Sequence, residues 1–286
     1  MDPFRDSSTF WPHPGSEAPI PFVEIGKPRP DVALITLNRP ERMNAMAFDV
    51  MIPLRQALES VSHDNETRVV VLTVAGQGFC SGADLEDPGM LPNIAGLTVP
   101  AIARRAMELL DDVILALRRM HQPVIGAING AAIGGGLCLS VATDIRIASE
   151  RAYFRAAGIT NGLTASELGL SYLLPRAIGS SRAFEIMLSG RDVDAAEAER
   201  IGLVSRAVPH AELLDTCYQL AERIAGFSRV GVEATKRLLW SSLDAGSLLG
   251  HMDHEGYAQL YVRLTTQNFE EAIRARREKR PPVFRD

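Results

Sequence analysis

Apolar residues alternate or cluster in short runs over the first two thirds of the chain and recur at helical spacing in the last third. The segments Phe22–Gly26 and Val32–Asn38 are typical of two short strands with a turn between them. The β-branched run Arg68–Val74 predicts a strand buried on both faces. Apolar positions over residues 47–62 and 101–120 recur every three or four residues and predict two amphipathic helices.

Further along, predicted strands at 124–129, 144–149 and 153–156 alternate with helical segments, and helices predominate from about residue 166. This order indicates an α/β domain followed by a helical appendage. We therefore predict a loose arm rich in Pro and Ser at 1–20, an α/β core at 21–205, and a helical region at 206–286. The last boundary lies where Pro209 separates a short strand-like stretch from the next helix.

Composition narrows the class of protein. The 286 residues can bury a large core, and the net charge of −5, without a broad basic stripe, argues against nucleic-acid binding. Three widely spaced cysteines favour a reduced, cytoplasmic setting without a thiolate metal site. The N-terminus has no apolar signal region, and no apolar run has membrane-spanning length, so we expect no membrane insertion.

Two glycine-bearing segments follow predicted strands, at Gly76–Asp84 and Asn129–Gly136, and the second opens an apolar helix. The first N–H groups of a helix lack internal partners and carry the positive end of its dipole, so they can stabilise an anion or a developing oxyanion. Taken singly, each segment is more simply interpreted as a tight connection selected for packing, because glycine turns are common. Neither a phosphate-binding P-loop nor a dinucleotide fingerprint is present.

Six motifs occur in a fixed order along the chain. They are R-P-E-R-M-N-A-M at Arg39–Met46, G-F-C-S-G-A-D-L at Gly78–Leu85, A-I-N-G-A-A-I-G-G-G at Ala127–Gly136, D-I-R-I-A-S at Asp144–Ser149, L-L-P-R-A-I-G at Leu173–Gly179 and E-A-E-R-I-G-L-V at Glu197–Val204. Together they resemble the enoyl-CoA hydratase/isomerase (crotonase) family from about residue 22 to residue 284.

The resemblance implies a crotonase-like spiral of ββα units with a C-terminal helical trimerisation region. It implies an acyl-CoA or enoyl-CoA thioester as the binding partner and a homo-oligomer, either a trimer or a dimer of trimers. It implies no separate cofactor, because CoA is part of the substrate. We predict no metal site either, because the pair His251 and His254 has no third clustered ligand.

The resemblance also assigns site residues. The main-chain N–H groups of Ala83 and Gly135 are expected to donate hydrogen bonds to the thioester carbonyl. The other substrate-binding positions that it implies are Arg42, Ala45, Ser81, Asp84, Leu85, Gly134 and Gly158.

At two positions the chain departs from the hydratases of that family, which use two glutamates to add water to a double bond. Cys138 and Gly158 stand at the matching positions. A thiol and a glycine cannot activate water as a pair of carboxylates does, so hydration is disfavoured. We interpret Cys138, inside an apolar helix, as an inert small hydrophobe rather than a nucleophile.

One carboxylate, Glu167, matches a position where isomerase-like and dehalogenase-like members carry an aspartate. It is either a base that moves a proton or, with Thr164, half of a capping box before an apolar helix. We therefore hypothesise an isomerase-type enzyme. The alternatives are a non-catalytic acyl-CoA binding protein of the same fold and, third, an enzyme of thioester hydrolysis or acyl transfer.

Overall fold

The computed structural model describes residues 22–285, and the arm predicted at 1–20 lies outside the described residues. Nine strands form two sheets. They are β1 (Val23–Arg29), β2 (Val32–Leu37), β3 (Val69–Val74), β4 (Val124–Ile128), β5 (Ala132–Ile133), β6 (Ile145–Ser149), β7 (Tyr153–Arg155), β8 (Val193–Asp194) and β9 (Arg206–Val208).

The described residues also form ten α-helices. They are α1 (Phe48–Ser62), α2 (Val99–Arg119), α3 (Gly135–Ala142), α4 (Leu170–Ile178), α5 (Ser180–Ser189), α6 (Ala195–Arg200), α7 (Leu213–Ala225), α8 (Arg229–Ser242), α9 (Leu248–Thr265) and α10 (Asn268–Glu278). In the part of the chain that the structure describes, none of the helices is long and apolar enough to span a bilayer.

The large sheet has the strand order β1-β2-β3-β4-β6-β9, and the small sheet has the order β5-β7-β8. Only β1–β2 in the large sheet and β7–β8 in the small one pair antiparallel. Consecutive strands change sheet: β4 and β6 lie in the large sheet, whereas β5 and β7, which follow them, lie in the small one. Strand pairs of this kind alternating with helices make the ββα spiral, so the predicted α/β fold class is confirmed.

Strand β3 is buried on both faces, and its sequence is apolar except for Thr73. Val70 and Leu72 pack in the larger core on the side of α1 and α2, whereas Val69 and Val71 pack in a second core against α7. Side chains of a strand alternate between its two faces, so a strand covered on both sides is apolar at nearly every position. The one hydroxyl, of Thr73, donates to the Ala127 main-chain oxygen. The first predicted strand is longer than expected, since β1 continues to Arg29 and turns at Asp31, which has a φ of 62°.

The core extends beyond the boundary predicted at 205/206. Strand β9 pairs with β6 in the large sheet, and α7 buries Leu213 and Cys217 against that sheet. Residues 206–225 thus belong with the core, and the helical region begins at α8. The sequence shows the strand-like stretch before Pro209 but not its pairing with β6, because that partner lies about sixty residues earlier in the chain.

Helix α8 is tied to the core by one cluster around the buried Lys236 side chain. The Lys236 ammonium lies 2.8 Å from the Asp144 carboxylate and donates to the carbonyl oxygens of Leu117 and Gln122. The Trp240 indole N–H donates to the other Asp144 oxygen. Helix α9, by contrast, has no buried side chain in the single chain.

Candidate active site

Two main-chain segments lie side by side at the edge of the small sheet. The Cys80 N–H donates to the Ala131 oxygen and the Ile133 N–H donates to the Cys80 oxygen, both at 2.9 Å. These bonds form a parallel bridge between Cys80 and Ala132. Ala83 and Gly135 each lie three residues beyond that bridge, so the register brings the two predicted glycine turns together.

The N–H of Ala83 points away from the chain segment that holds it. Met46 N–H donates to the Gly82 oxygen at 2.7 Å, and Asp84 N–H donates to the Met46 oxygen at 3.0 Å. In a parallel bridge of this kind the N–H of the middle residue faces the opposite side. Ala83 is exposed, and its N–H donates to no acceptor within residues 22–285.

The Gly135 N–H is the first of α3 and also donates to no acceptor among the described residues. The preceding Gly134 has φ 52° and ψ −118°, a conformation that side chains rarely allow, and its own N–H donates to the Arg155 oxygen at 2.8 Å. A Cβ built on Gly82 would lie 3.5 Å from the Gly135 nitrogen. The segment that carries Ala83 therefore lies against the start of α3, next to the Gly135 N–H.

Glu167 is not a helix cap, so the capping-box alternative is wrong. Thr164 Oγ1 accepts instead from the Ser166 N–H at 2.7 Å. Helix α4 begins at Leu170, its N-cap is Gly169, and no side chain caps it. Leu168 and Gly169 both adopt positive φ, 46° and 78°, which turns the chain sharply before the helix.

The Glu167 side chain lies at the junction of the two glycine turns. A Cβ built on Gly134 would lie 3.4 Å from Glu167 Oε1, 3.7 Å from the Ala157 Cβ and 3.9 Å from the Gly82 Cα. The half-buried carboxyl loses part of its hydration, which raises its pKa above the ordinary value of 4.5. A carboxyl so placed is a candidate proton-transfer group.

Neither position of the hydratase glutamates offers an acid or a base. Burial raises the pKa of the Cys138 thiol well above its usual range, so the group remains a thiol. It donates to the Glu167 main-chain oxygen at 3.5 Å, a contact that the sequence did not indicate. Gly158 is buried, and a Cβ there would lie 2.1 Å from the Thr164 oxygen. Any side chain at 158 would thus displace the loop that leads to Glu167.

Asp84 is held by two arginines. Its carboxylate pairs with Arg42 and lies 3.3 Å from Arg39 Nη1, and it also accepts from the N–H groups of Glu86 and Asp87. The Arg42 hydrogen bonds, followed by the Asp87 N–H, hold the Asp84 pKa well below its ordinary value. The carboxylate is directed into its own loop and orients the segment next to Ala83. Arg39 was missed by sequence reasoning because its motif contains two arginines and no sign of which is buried.

The other predicted substrate-binding residues line the same segment. Ala45 is buried, Ser81 is half-buried, and Leu85 exposes 77% of its surface. The Ala45 N–H donates to the Arg42 oxygen and the Ser81 N–H to the Met43 oxygen. Their main chains are therefore fixed, whereas the Leu85 side chain is free to contact a ligand.

Comparison with known proteins gives the family. The family model described as "Enoyl-CoA hydratase/isomerase" matches residues 29–286. A protein of Mycobacterium tuberculosis named as a probable enoyl-CoA hydratase is 68% identical over 272 residues, 95% of each chain.

Two solved structures extend this comparison. A probable enoyl-CoA hydratase/isomerase from Mycobacterium abscessus has a TM-score of 0.89 at 70% identity, covering 92% of this chain and 98% of its own. A protein from M. smegmatis described as a monofunctional enoyl CoA isomerase has a TM-score of 0.69 at 65% identity, covering 81% and 98%. On the match of motifs, fold and nearly full-length relatives, this chain belongs to the enoyl-CoA hydratase/isomerase family.

Proposed function

We propose that this protein moves a double bond in an enoyl-CoA thioester by proton transfer. The N–H groups of Ala83 and Gly135 bind the thioester oxygen, and Glu167 is the base. The observation that carries the proposal is the position of the Glu167 carboxylate against Gly134, beside two main-chain N–H groups that have no acceptor among residues 22–285.

The proposed chemistry conserves every atom of the substrate. The Glu167 carboxylate removes a proton from the α or γ carbon, and the electron pair of that C–H bond moves onto the thioester oxygen to give an enolate. The two N–H donors stabilise that oxygen, each contributing about 3–4 kcal/mol in comparable sites. Glu167 then returns the proton to the other carbon and the double bond has migrated. Partial burial raises the pKa of the carboxyl toward the working pH, which favours both transfers.

Proton transfer is favoured over hydration because Glu167 supplies one carboxylate at the junction of the two glycine turns, whereas hydration uses two. Cys138 is a buried thiol and Gly158 has no room for a side chain. The similarity to the M. smegmatis isomerase supports this direction, whereas the M. tuberculosis relative is named a probable hydratase. Hydration therefore belongs among the activities to be measured.

For substrate binding we propose that CoA lies along Arg42, Ala45, Ser81 and Leu85, with Gly134 and Gly158 near the acyl group and with no other cofactor. Asp84 is assigned an indirect part, since its carboxylate already accepts hydrogen bonds from Arg42 and from two main-chain N–H groups.

We further propose self-association through α9, as a trimer or a dimer of trimers. Four large residues on one face of that helix are more than half exposed in the single chain. They are Tyr257, Leu260, Tyr261 and Leu264. A continuous exposed apolar face of this kind is typical of an interface.

The three cysteines are free and buried, which supports a reducing compartment such as the cytoplasm.

The test offers purified protein 2-enoyl-, 3-enoyl- and dienoyl-CoA of several chain lengths and follows double-bond position, water addition and release of free CoA. We expect isomerisation, lost in Glu167→Gln and unchanged in the control Glu199→Gln, whose carboxylate is exposed on α6. Binding without turnover of any substrate would favour the alternative of a non-catalytic acyl-CoA binding protein. That alternative is supported by the replacement of the two hydratase glutamates by Cys138 and Gly158. Release of CoA would favour thioester hydrolysis.

A further inference from the structure

One methionine contacts both turns of the candidate site. The main chain of Met46 brackets Ala83, because its N–H donates to the Gly82 oxygen at 2.7 Å and its oxygen accepts from the Asp84 N–H at 3.0 Å. These two bonds fix Ala83 relative to Met46 whatever side chain residue 46 carries.

The side chain of the same residue reaches the other turn. A Cβ built on Gly135 would lie 2.1 Å from Met46 Sδ and 3.5 Å from its Cγ and Cε atoms. Met46 is only 6% exposed, so its thioether is packed in place and covers the Cα of Gly135. An unbranched, polarisable side chain fills such an irregular gap well.

We infer that Met46 is a positioning residue that sets the spacing between the Ala83 and Gly135 N–H groups. The inference rests on the proposed function, because the spacing matters only if both N–H groups bind one oxygen. Met46 acts through the two N–H donors and touches no reacting atom. A shift of such donors by a fraction of an ångström weakens both hydrogen bonds to the oxyanion, whereas the contacts that bind CoA remain.

The first experiment compares Met46→Ala, Met46→Leu and Met51→Ala. Met51 is fully buried in α1 and serves as the control for loss of packing. We expect Met46→Ala to lower kcat at least about tenfold with KM within about threefold, and Met46→Leu to recover most of kcat. Met51→Ala should lose stability and keep kcat at temperatures where it is folded.

The second experiment tests the steric contact between Met46 and Gly135 by comparing the activities of single and double variants. Gly135→Ala forces the new methyl onto Met46 Sδ, and Met46→Ala removes that obstacle. We therefore expect the double variant to be more active than Gly135→Ala alone, although each single change is harmful. Gly136→Ala is the matched control, since its Cβ would lie 2.2 Å from the Cys80 main-chain oxygen. Met46→Ala gives no relief there.

The third measurement does not need turnover. Difference infrared spectroscopy of a bound enoyl-CoA reports the thioester carbonyl stretch, which falls as the two N–H groups polarise it. We expect a smaller fall in Met46→Ala than in the wild type or Met51→Ala. Equal frequencies, or no recovery of the Gly135→Ala variant, overturn the inference. A wild type that polarises the carbonyl without turnover refutes proton transfer alone, and one that binds no enoyl-CoA refutes both proposals.

Discussion

Glu167 Oε1 lies 3.4 Å from the place where a Cβ of Gly134 would be, so the carboxylate packs directly against this glycine turn. The same glycine precedes the N–H of Gly135 at the start of α3. The proposed base and one proposed oxyanion donor thus meet at one backbone turn, and the consequences can be measured.

The pH dependence of the rate should report Glu167. The deprotonated carboxylate is the proposed base, and partial burial raises its pKa above 4.5, so kcat should rise with pH through a midpoint above that value. Glu167→Gln should remove this limb and lower kcat about 10²–10⁴-fold. A profile that is unchanged in Glu167→Gln would assign the limb to another group.

The same substitution should stabilise the protein at higher pH. Because the folded-state pKa is raised, the carboxyl contributes stability that is fully present below about pH 4.5 and lost as pH rises through the folded-state value. Glu167→Gln should therefore melt at a higher temperature than the wild type at pH 8 and at the same temperature at pH 4. Thermal unfolding at both pH values checks the sign, and a lower Tm at pH 8 contradicts it.

Asp84→Asn should loosen the loop that presents Ala83. The folded-state pKa of Asp84 is lowered, so its stabilisation is present above its ordinary pKa of 3.8 and lost as pH falls below that value. We expect a loss of about 2–3 kcal/mol at pH 7, less than for a fully buried pair because Arg42 is partly exposed. Urea unfolding measures it. The exposed neighbour Asp87 provides the control, and Asp87→Asn should cost less than about 1 kcal/mol.

Gly158→Ala should not move the protein toward hydration. The added methyl meets the Thr164 main-chain oxygen at 2.1 Å, so the loop leading to Glu167 must shift. We expect a stability loss of about 1–3 kcal/mol together with a lower isomerase rate. Gly162→Ala is a control in the same loop. Its added methyl group would meet no atom within 4 Å, so only the positive φ of 73° is unfavourable. A Gly158→Ala variant with unchanged stability and rate would show that the loop yields freely.

Removing the Lys236 ammonium should detach α8 from the core. Lys236→Met leaves the partly buried Asp144 carboxylate without its cation, at a cost of about 2–3 kcal/mol, below that of a fully buried pair because the Val124 and Trp240 N–H groups still donate to it. The double change with Asp144→Asn should cost less than the sum of the two single changes, because the residues form one network. Urea unfolding of the four proteins measures the coupling, and simple additivity would contradict it.

A charge on the exposed face of α9 should dissociate the proposed oligomer. Tyr261 and Leu264 expose 60% and 78% of their surfaces, and burying a glutamate in place of either is costly. Sedimentation should show the wild type as a trimer or hexamer and Leu264→Glu as a smaller species. Phe184→Glu on α5, which is 62% exposed, is the matched control and should leave the mass unchanged. A monomeric wild type would refute the interface.

The local pattern of apolar residues and glycines was enough to predict several strands and helices and the family. The β-branched run predicted β3, the helical spacing predicted α1 and α2, and six ordered motifs placed the two glycine turns in one family. These features are readable because strand and helix periodicity, and the need for glycine at tight turns, act over a few residues.

Tertiary structure alone decided what the side chains of Glu167, Asp84 and Met46 contact. The spacing of Thr164 and Glu167 fits a helix cap, yet α4 begins only at Leu170, after positive φ at Leu168 and Gly169, and the Glu167 carboxylate lies against Gly134. The Asp84 ion pairs and the contact of Met46 with Gly135 join segments far apart in the chain. The direction of a loop side chain depends on backbone angles and on distant packing, and no short-range periodicity encodes either of them.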